Sequence, residues 1–479
     1  MQKSVIGIDV GTSAVKCVVS ADGRIIDSAS APLSVQSPAP GWSEQNPDDW
    51  IIAVKSALAQ LTSPLDQVAG LALSGQMHGA VMLDAAAKPV RPCILWNDSR
   101  ANDDCTTLRS DVPKIGQIAG VLPLPGFTAP KLMWVRRKEP HAFDAIRHLL
   151  LPKDYVGLWL TGEFATDVSD AAGTLWLDEA TRGWSNALIE ASGIDRSWLP
   201  GLHHGFDQIG SLRRSVAEAM GLPVGLPVFA GGGDAATGAV SLGAAAAGRG
   251  FISLGTSGQF LVVDESYQPN PDQYVHAFCH TLPGLWYRMA AMLNGARPLS
   301  WFASVLDISV ETLLTEAAHA DVTRVPLFLP YLTGERSPHG DPDVRAAFYD
   351  LDNATGRPEM CRAVVEAIAF MMRDAADSFG TDAIGGQTIP VIGGGSQSDL
   401  VLQTLANVLE QPVARSALGQ GGAALGAALL AEVGVGQTDP MSLSFVPELT
   451  QEFVPSPEGS LIERLVRFRS LYAALRGGL

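Results

Sequence analysis

A chain of 479 residues, 47% of them apolar, is long enough for two domains with large cores and needs no covalent staples. A formal net charge of −17 argues against a nucleic-acid partner, because phosphate backbones call for clustered Lys and Arg. It does not argue against a nucleotide, whose charge is handled by Mg²⁺, backbone N–H groups and helix N-termini. The five dispersed cysteines (Cys17, Cys93, Cys105, Cys279 and Cys361) form no CxxC pair and read as reduced thiols of a cytoplasmic protein. Neither a signal peptide nor a membrane span is expected.

In chain order, Val5–Val10, Val15–Ser20 and Arg24–Ser30 are strand-like, and Asp22-Gly23 marks a hairpin turn. After a Pro-rich loop, Asn46 is placed to cap a helix. Pro47 is its first residue, and Trp50, Ile51, Val54, Leu58 and Leu61 keep helical spacing. Val68–Leu73 is the next strand and opens into Ser74-Gly75-Gln76-Met77-His78-Gly79. Val228–Ala230 enters Gly231-Gly232-Gly233-Asp234, and Ala235–Gly250 reads as a helix leading into the second half. There the pattern predicts a long helix over Arg357–Phe379, a strand at Thr388–Ile392, a Ser398-capped helix Asp399–Leu409 and a final helix from Ser460 to Gly477. The chain is therefore expected to divide into domains of residues 1–245 and 246–479, with a cleft between them.

The most informative stretch is Gly7 to Lys16, in which an apolar run leads into Asp9, Gly11, Thr12 and Ser13 and a second apolar run leaves. It reads as a hairpin whose turn wraps a phosphate, with Asp9 at its mouth to hold a metal ion or its waters. The pattern returns at Phe251–Phe260, where Gly255, Thr256, Ser257 and Gly258 form the turn. Either turn alone is ordinary turn chemistry; two in two halves suggest jaws closing on a nucleotide. No Gly-Lys pair occurs, so a P-loop is excluded. Gly419-x-Gly421-x-x-Ala424 faintly echoes a dinucleotide fingerprint, and close helix packing explains it better.

The three glycines before Asp234 suggest close backbone approach to a ligand, with Asp234 as the base that accepts the proton of an attacking hydroxyl. The competing role for Asp234 is a helix cap. Gly393, Gly394, Gly395 and Ser396 read as a floor for adenosine. His78, in an open Gly-rich loop with Met77, reads as a substrate-lining residue against the default of a buried, satisfied histidine.

These residues together resemble the FGGY family of carbohydrate kinases, and within it the xylulokinase branch. The pieces that carry the resemblance are Gly41-Trp42-Ser43-Glu44-Gln45, Ser74 to Gly79, Ile94-Leu95-Trp96-Asn97-Asp98, Pro125 to Leu132, Leu151-Pro152-Lys153-Asp154-Tyr155, Ser169 to Thr174, and Tyr331 to Arg336. The resemblance implies an α/β fold of two actin-like (ribonuclease H-like) ATPase domains flanking a catalytic cleft. It also implies ATP with Mg²⁺ and phosphorylation of D-xylulose on its 5-hydroxyl. On that pattern Asp234 matches the catalytic base and Asp9 the acid near Mg²⁺ and the phosphates. Met77 and His78 match sugar-lining residues. Gly11, Thr12, Ser13, Gly255, Thr256, Gly394, Gly395 and Ser396 match nucleotide-binding positions.

One departure is Ala235, where xylulokinases usually carry an asparagine that contacts the sugar. Asn97 or Thr237 is expected to substitute, or the sugar is a relative such as ribulose, an L-ketopentose or glycerol. An actin-like protein that uses ATP to change conformation is the reading from another class. A small sugar is the expected partner and a homodimer the expected assembly, with no nucleic acid and no membrane.

Overall fold

The structure is a computed structural model that describes residues 3–380, 386–416, 421–456 and 459–476. Val5–Val10 (β1), Ala14–Ala21 (β2) and Arg24–Pro32 (β3) form an antiparallel meander. Asp22 and Gly23 both take positive φ, 52° and 74°, which closes a two-residue turn and pairs Ala21 with Arg24. The side chain of Asn46 accepts from the Asp48 N–H and caps Pro47–Leu58 (α1), whose Trp50, Val54, Ala57 and Leu58 are buried. The next strand is Leu71–Gly75 (β4), later than expected because Leu65–Gln67 is taken by a 3₁₀ turn.

Helix Thr128–Lys138 (α2), packed on other helices, and helix Pro152–Thr161 (α3), packed on this sheet, precede Gln208–Ser211 (β5) and Pro227–Gly233 (β6). Strand β6 runs through all three glycines, and Asp234–Ser241 (α4) starts directly after it. This helix is shorter than the predicted span to Gly250. It stops before Gly243, which sits at φ 70° against the Phe445 carbonyl, where a Cβ would come within 2.0 Å of the oxygen. The first sheet has the order β5–β6–β4–β1–β2–β3, with β1, β4 and β6 parallel.

The second half repeats this plan. Gly250–Leu254 (β7), Gly258–Asp264 (β8), His276–Cys279 (β9) and Trp286–Met292 (β10) form its antiparallel part. Helices Arg297–Val305 (α5), Val310–Ala318 (α6) and Arg357–Asp377 (α7) follow. Val364, Val365, Ile368 and Met372 of α7 are buried, as their spacing predicts. Ile389–Ile392 (β11), Asp399–Leu409 (α8) with Ser398 as its cap, and Val413–Ser416 (β12) come next. The order β9–β10–β8–β7–β11–β12, with β7, β11 and β12 parallel, ends in Leu449–Phe453 (β13).

Gly422–Gly434 (α9) comes late in the chain yet lies on the first sheet and against α4. Glycine makes this approach geometrically available: a Cβ on Gly7 would fall 1.9 Å from the Ala424 carbonyl, and one on Gly426 would fall 1.8 Å from that of Thr237. The Gly421 and Ala424 pattern is thus helix packing, as expected; Gly419 lies outside the described residues. The final helix is Gly459–Arg476 (α10), and Gly477 also lies outside them.

The segment 41–45 is architectural. Glu44 accepts from Arg91 at 2.7 Å and Arg100 at 2.6 Å, while Arg100 also pairs with Asp98 at 2.7 Å and lies 3.8 Å over the Trp42 ring. Asp98 in turn accepts from the Ser43 N–H at 2.6 Å. Removing one member of such a buried set leaves uncompensated charge. We therefore expect Arg100→Leu to lower stability by roughly 3–5 kcal/mol, read as a fall in the denaturant midpoint; an unchanged midpoint would refute this role.

Candidate active site

The register of the first sheet brings the two candidate acids to one edge. Asp9 pairs with Ser74, and Ser74 with Gly232, so β1, β4 and β6 end nearly level and Asp234 stands just past the end of β6. With neighbouring strands about 4.8 Å apart, the two acids are carried roughly 10 Å apart along the sheet edge. This is the carboxyl end of parallel strands, where open α/β sheets bind ligands. Asp234 is open to the cleft but crowded by protein on its other sides, and that loss of water, reinforced by the charge of Asp9, raises its pKa to about 7. Burial likewise raises Asp9 to about 6, against the Ser74 hydroxyl and the Lys16 charge, which pull it down.

The three glycines answer to protein contacts and not to a ligand. A Cβ on Gly231 (φ 70°) would sit 1.6 Å from the Leu73 carbonyl; on Gly232, 2.9 Å from the Ser169 hydroxyl; on Gly233, 2.9 Å from Met77. The Gly233 N–H also donates to Ser169 Oγ at 3.1 Å. Only glycine lets β6 lie this close to β4 and to the Met77 loop, and that closeness is what aims Asp234.

The first hairpin turn is tied to the Ser74–Gly79 loop by a hydrogen-bond relay. Thr12 Oγ1 donates to Gln76 Oε1 at 2.8 Å and accepts from Trp96 Nε1 at 2.9 Å. Gln76 Nε2 donates to Gln45 Oε1 at 2.9 Å, and Gln45 Nε2 donates to the Thr12 carbonyl at 2.8 Å. The Thr12 hydroxyl proton is therefore engaged, and the Gly11 N–H donates to the Ala14 carbonyl at 3.1 Å, which leaves the N–H groups of Thr12 and Ser13 as the freer part of the turn. The relay joins four of the sequence segments singled out above, 7–16, 41–45, 74–79 and 94–98, a connection the sequence reading did not make.

His78 has φ 71°, a left-handed backbone that costs a non-glycine residue on the order of 1 kcal/mol. Its carbonyl accepts from Lys131 Nζ at 2.8 Å and Thr128 Oγ1 at 3.0 Å, which holds the turn in place. Lys131 is fully buried and burial lowers its pKa to about 7. The His78 ring lies 4.3 Å from Phe127. Burial lowers its own pKa to about 3, so the ring is neutral. Because Nδ1 lies 2.9 Å from the Gly173 carbonyl, which can only accept, Nδ1 carries the proton and Nε2 is left as an acceptor.

Behind the Asp234 turn, Lys153 pairs with Asp154 at 2.6 Å and Asp167 at 3.0 Å, with Asp170 3.7 Å away. Burial raises Asp170 well above the ordinary carboxylate range, against the charge of Lys153, which lowers it. Asp167 accepts from Ser169 Oγ at 2.5 Å, the same hydroxyl that receives the Gly233 N–H, so this cluster braces the end of β6.

In the second half a cleft of about 880 Å³ is lined by Gly255, Thr256, Gly394, Gly395, Gln397 and Ser398, with Arg297, Ser300, Glu311 and Thr315 of α5 and α6 opposite. Gly393 (φ 92°) packs on Leu254, and Gly295 on the Ser257 carbonyl, so the second hairpin is wedged between two backbone turns. Ser396 departs from expectation: its hydroxyl donates back to the Gly393 carbonyl at 2.7 Å and is buried, which closes the loop and keeps it out of the cleft wall. The helix side of this cleft was not read from the sequence, since α5 and α6 look like ordinary amphipathic helices. A smaller cavity of about 200 Å³ joins the halves, with Asp234 and Ala235 on one wall and Phe251, Ser253 and Gln259 on the other.

The sequence profile described as the N-terminal domain of the FGGY family of carbohydrate kinases matches residues 4–241, and that of the C-terminal domain matches residues 250–435. The chain belongs to the FGGY family of carbohydrate kinases. Among its relatives in that family are the xylulose kinase of Escherichia coli K12, 41% identical across 98% of this chain and 99% of the relative, and that of Klebsiella pneumoniae, 43% identical across 90% of each. A crystal structure of a xyloylose kinase from Brucella ovis is 38% identical and superimposes with a TM-score of 0.94, covering 99% of both chains. A gluconate kinase from Lactobacillus acidophilus, 24% identical, reaches a TM-score of 0.93 with 99% of both chains covered, so the FGGY fold alone does not choose the sugar.

FGGY sugar kinases use ATP with Mg²⁺, and the residues here fit both. Asp9 Oδ1 is buried with no hydrogen-bond partner, a lone pair free for a cation or its water. Among the described residues no cluster of three or more His, Cys, Asp or Glu could hold a metal ion. That suits Mg²⁺, which prefers one or two carboxylates plus phosphate oxygens and water. Among the described residues no helix is long and apolar enough to cross a membrane.

Because the Asp234 pKa is raised from 3.8 to about 7, the native state binds more protons than the unfolded chain between those values, and stability falls as pH rises through them. Asp234→Asn is therefore expected to melt higher than wild type above pH 7, with the gain shrinking toward about pH 4. A difference in Tm that does not change with pH would contradict the electrostatic account.

Proposed function

We propose that this chain transfers the γ-phosphoryl group of ATP to the 5-hydroxyl of D-xylulose, giving D-xylulose 5-phosphate and ADP. The observation that carries the reading is the placement of Asp234 at the end of β6, facing the first-half loop of Met77 and His78 and sharing a cavity with the second half. The named relatives supply the sugar.

In this mechanism the second half holds the nucleotide between the Gly255–Thr256 turn and the Gly394–Gly395 loop. Backbone N–H groups of Thr12 and Ser13 meet the phosphates from the other side. Asp9 would hold Mg²⁺, which when bound would neutralise phosphate charge. Met77 forms an apolar wall under the sugar and His78 Nε2 accepts from one of its hydroxyls. Asp234, ionised, accepts the proton of the 5-hydroxyl as that oxygen bonds to the γ-phosphorus and the bond to ADP breaks. The buried, unpaired state of all five thiols supports a cytoplasmic setting.

Thr237 is not the substitute for the missing asparagine at 235. Its hydroxyl is buried and bonded to Ser74 Oγ at 2.7 Å and the Gly233 carbonyl at 3.1 Å. Asn97 is exposed beside Trp96.

The deciding experiment is ADP release with Mg²⁺-ATP on D-xylulose, L-xylulose, D-ribulose, L-ribulose and glycerol, with a no-sugar control. Preference for D-xylulose is expected; equal turnover without sugar would refute the reading. Asp234→Ala should lower kcat by about 10²–10⁴-fold while ATP still binds. In wild type, kcat/KM for the sugar should fall on the acid side of about pH 7 as Asp234 takes up its proton. A flat profile down to pH 5 would remove Asp234 as the base.

A further inference from the structure

The segment Tyr331–Arg336 has no part in the chemistry above, yet it ends in an unusual cation. Arg336 is half-buried, and among the described residues its guanidinium has neither a hydrogen bond nor an ion pair. Of the other sheltered arginines, Arg100 pairs with Glu44 and Asp98, Arg288 with Asp264, and Arg464 with Glu366, whereas the side chains of Arg249 and Arg297, like that of Arg336, have no such partner among the described residues. Five N–H donors held partly out of water without an acceptor are costly, and a bound ligand is the natural source of acceptors.

The backbone around Arg336 is fixed. Glu335 accepts from the N–H groups of Leu293 at 2.6 Å and Arg336 at 2.8 Å. Ser337 Oγ donates to the Tyr274 carbonyl at 2.6 Å and accepts from the Ala291 N–H at 3.2 Å. These bonds pin Arg336 to the β9–β10 pair, whose first residue is His276, opposite Met289. His276 is only 5% exposed, and among the described residues neither ring nitrogen has a hydrogen-bond partner.

Both groups look across to the sugar loop of the first half. Phe127 bridges them, 4.3 Å from the His78 ring and 5.9 Å from that of His276. The charge of Arg336 is felt at His78 and at His276, while Asp234 responds chiefly to burial and to Asp9. Arg336 is also absent from the nucleotide cleft wall. Its backbone thus places it in the second half, on the His276 side of the Phe127 ring that His78 touches from the first half.

We propose that Arg336, with His276 beside it, is a specificity-determining group that binds the hydroxy-ketone end of the ketose, the C1 hydroxyl and C2 carbonyl, while the 5-hydroxyl faces Asp234. Two adjacent oxygens match the fork of a guanidinium, and a neutral imidazole accepts from the C1 hydroxyl. The proposal rests on the ketopentose reading above.

The test compares D-xylulose with 1-deoxy-D-xylulose in wild type, Arg336→Gln and Arg336→Lys. Wild type should favour D-xylulose in kcat/KM by about 10- to 100-fold, the range for hydrogen bonds to a charged group. Arg336→Gln should raise the KM for D-xylulose by about tenfold or more, leave the KM for ATP near wild type and collapse the preference. Arg336→Lys should restore part of it. A fall in kcat at unchanged KM would place Arg336 on the transferring phosphoryl group and overturn the proposal, as would an unchanged preference in a folded variant. If Arg336→Gln fails to fold, absence of discrimination in wild type, or full discrimination in Arg336→Lys with unchanged KM, overturns it equally. Wild type inactive on every ketopentose would show that the function reading itself fails, before any variant is made.

Discussion

Parallel pairing of β1 with β4 and of β4 with β6 decides where the two carboxylates stand, and most other features of the molecule serve to keep those three strands level. A slip of one residue in either pair would turn Asp9 or the Asp234 turn to the opposite face of the sheet. The glycines of β6 make the alignment sterically available, the Ser169–Asp167–Lys153 bonds brace its end, and α9 presses on β1 through Gly7. Function enters this scheme as electrostatic cost: two acids near one another in a crowded, poorly hydrated edge both resist ionisation. A cation at Asp9 would relieve that cost and favour the charged base. On the proposed roles, loading of the nucleotide and readiness of Asp234 would be coupled through charge.

The segments that make the family legible mostly do not touch the chemistry. Trp42, Glu44, Asp98 and Arg100 form a buried ionic and aromatic knot, and Gln45, Gln76, Thr12 and Trp96 form the relay beside it. Buried ion pairs of this kind add little net stability over apolar packing, but they tolerate few geometries. Their value here is positional. They hold the phosphate turn and the sugar loop in one fixed relation, which apolar residues of equal volume would not enforce.

Much of the frame was readable from local rules. The Asp22-Gly23 turn, the Asn46 cap with Pro47 and the Ser398 cap on α8 depend on a few neighbouring residues, so the sequence specifies them directly. Asp9, Asp234 and His78 stood out because chemistry-bearing residues sit in open, glycine-rich contexts. The reasons for those contexts were not local. Gly231 to Gly233 are required by Leu73, Ser169 and Met77, contacts that only the folded sheet creates. Ser396 turns inward because its nearest acceptor is the carbonyl three residues back. The α5–α6 wall of the nucleotide cleft carries no distinctive residue pattern, and α9 crosses to the first sheet through small residues and one buried acid, Glu432, which accepts from Ser20 Oγ and the Gly23 N–H.

The division of labour between the halves bears on how transfer avoids water. Asp234 is carried by the first half and the larger glycine-lined cleft by the second, so on the proposed roles the reacting groups would meet across the gap that Asp234 and Ala235 share with Phe251, Ser253 and Gln259. A water molecule could occupy the acceptor position in an open cleft. It cannot draw the halves together, because it offers nothing to Met77, His78 or the second-half wall. A sugar that contacts both walls would contribute binding energy to closure itself, and so to expelling the competing nucleophile. Selectivity for the sugar over water then requires no special geometry at the base, only that the far end of the acceptor be long enough to reach across.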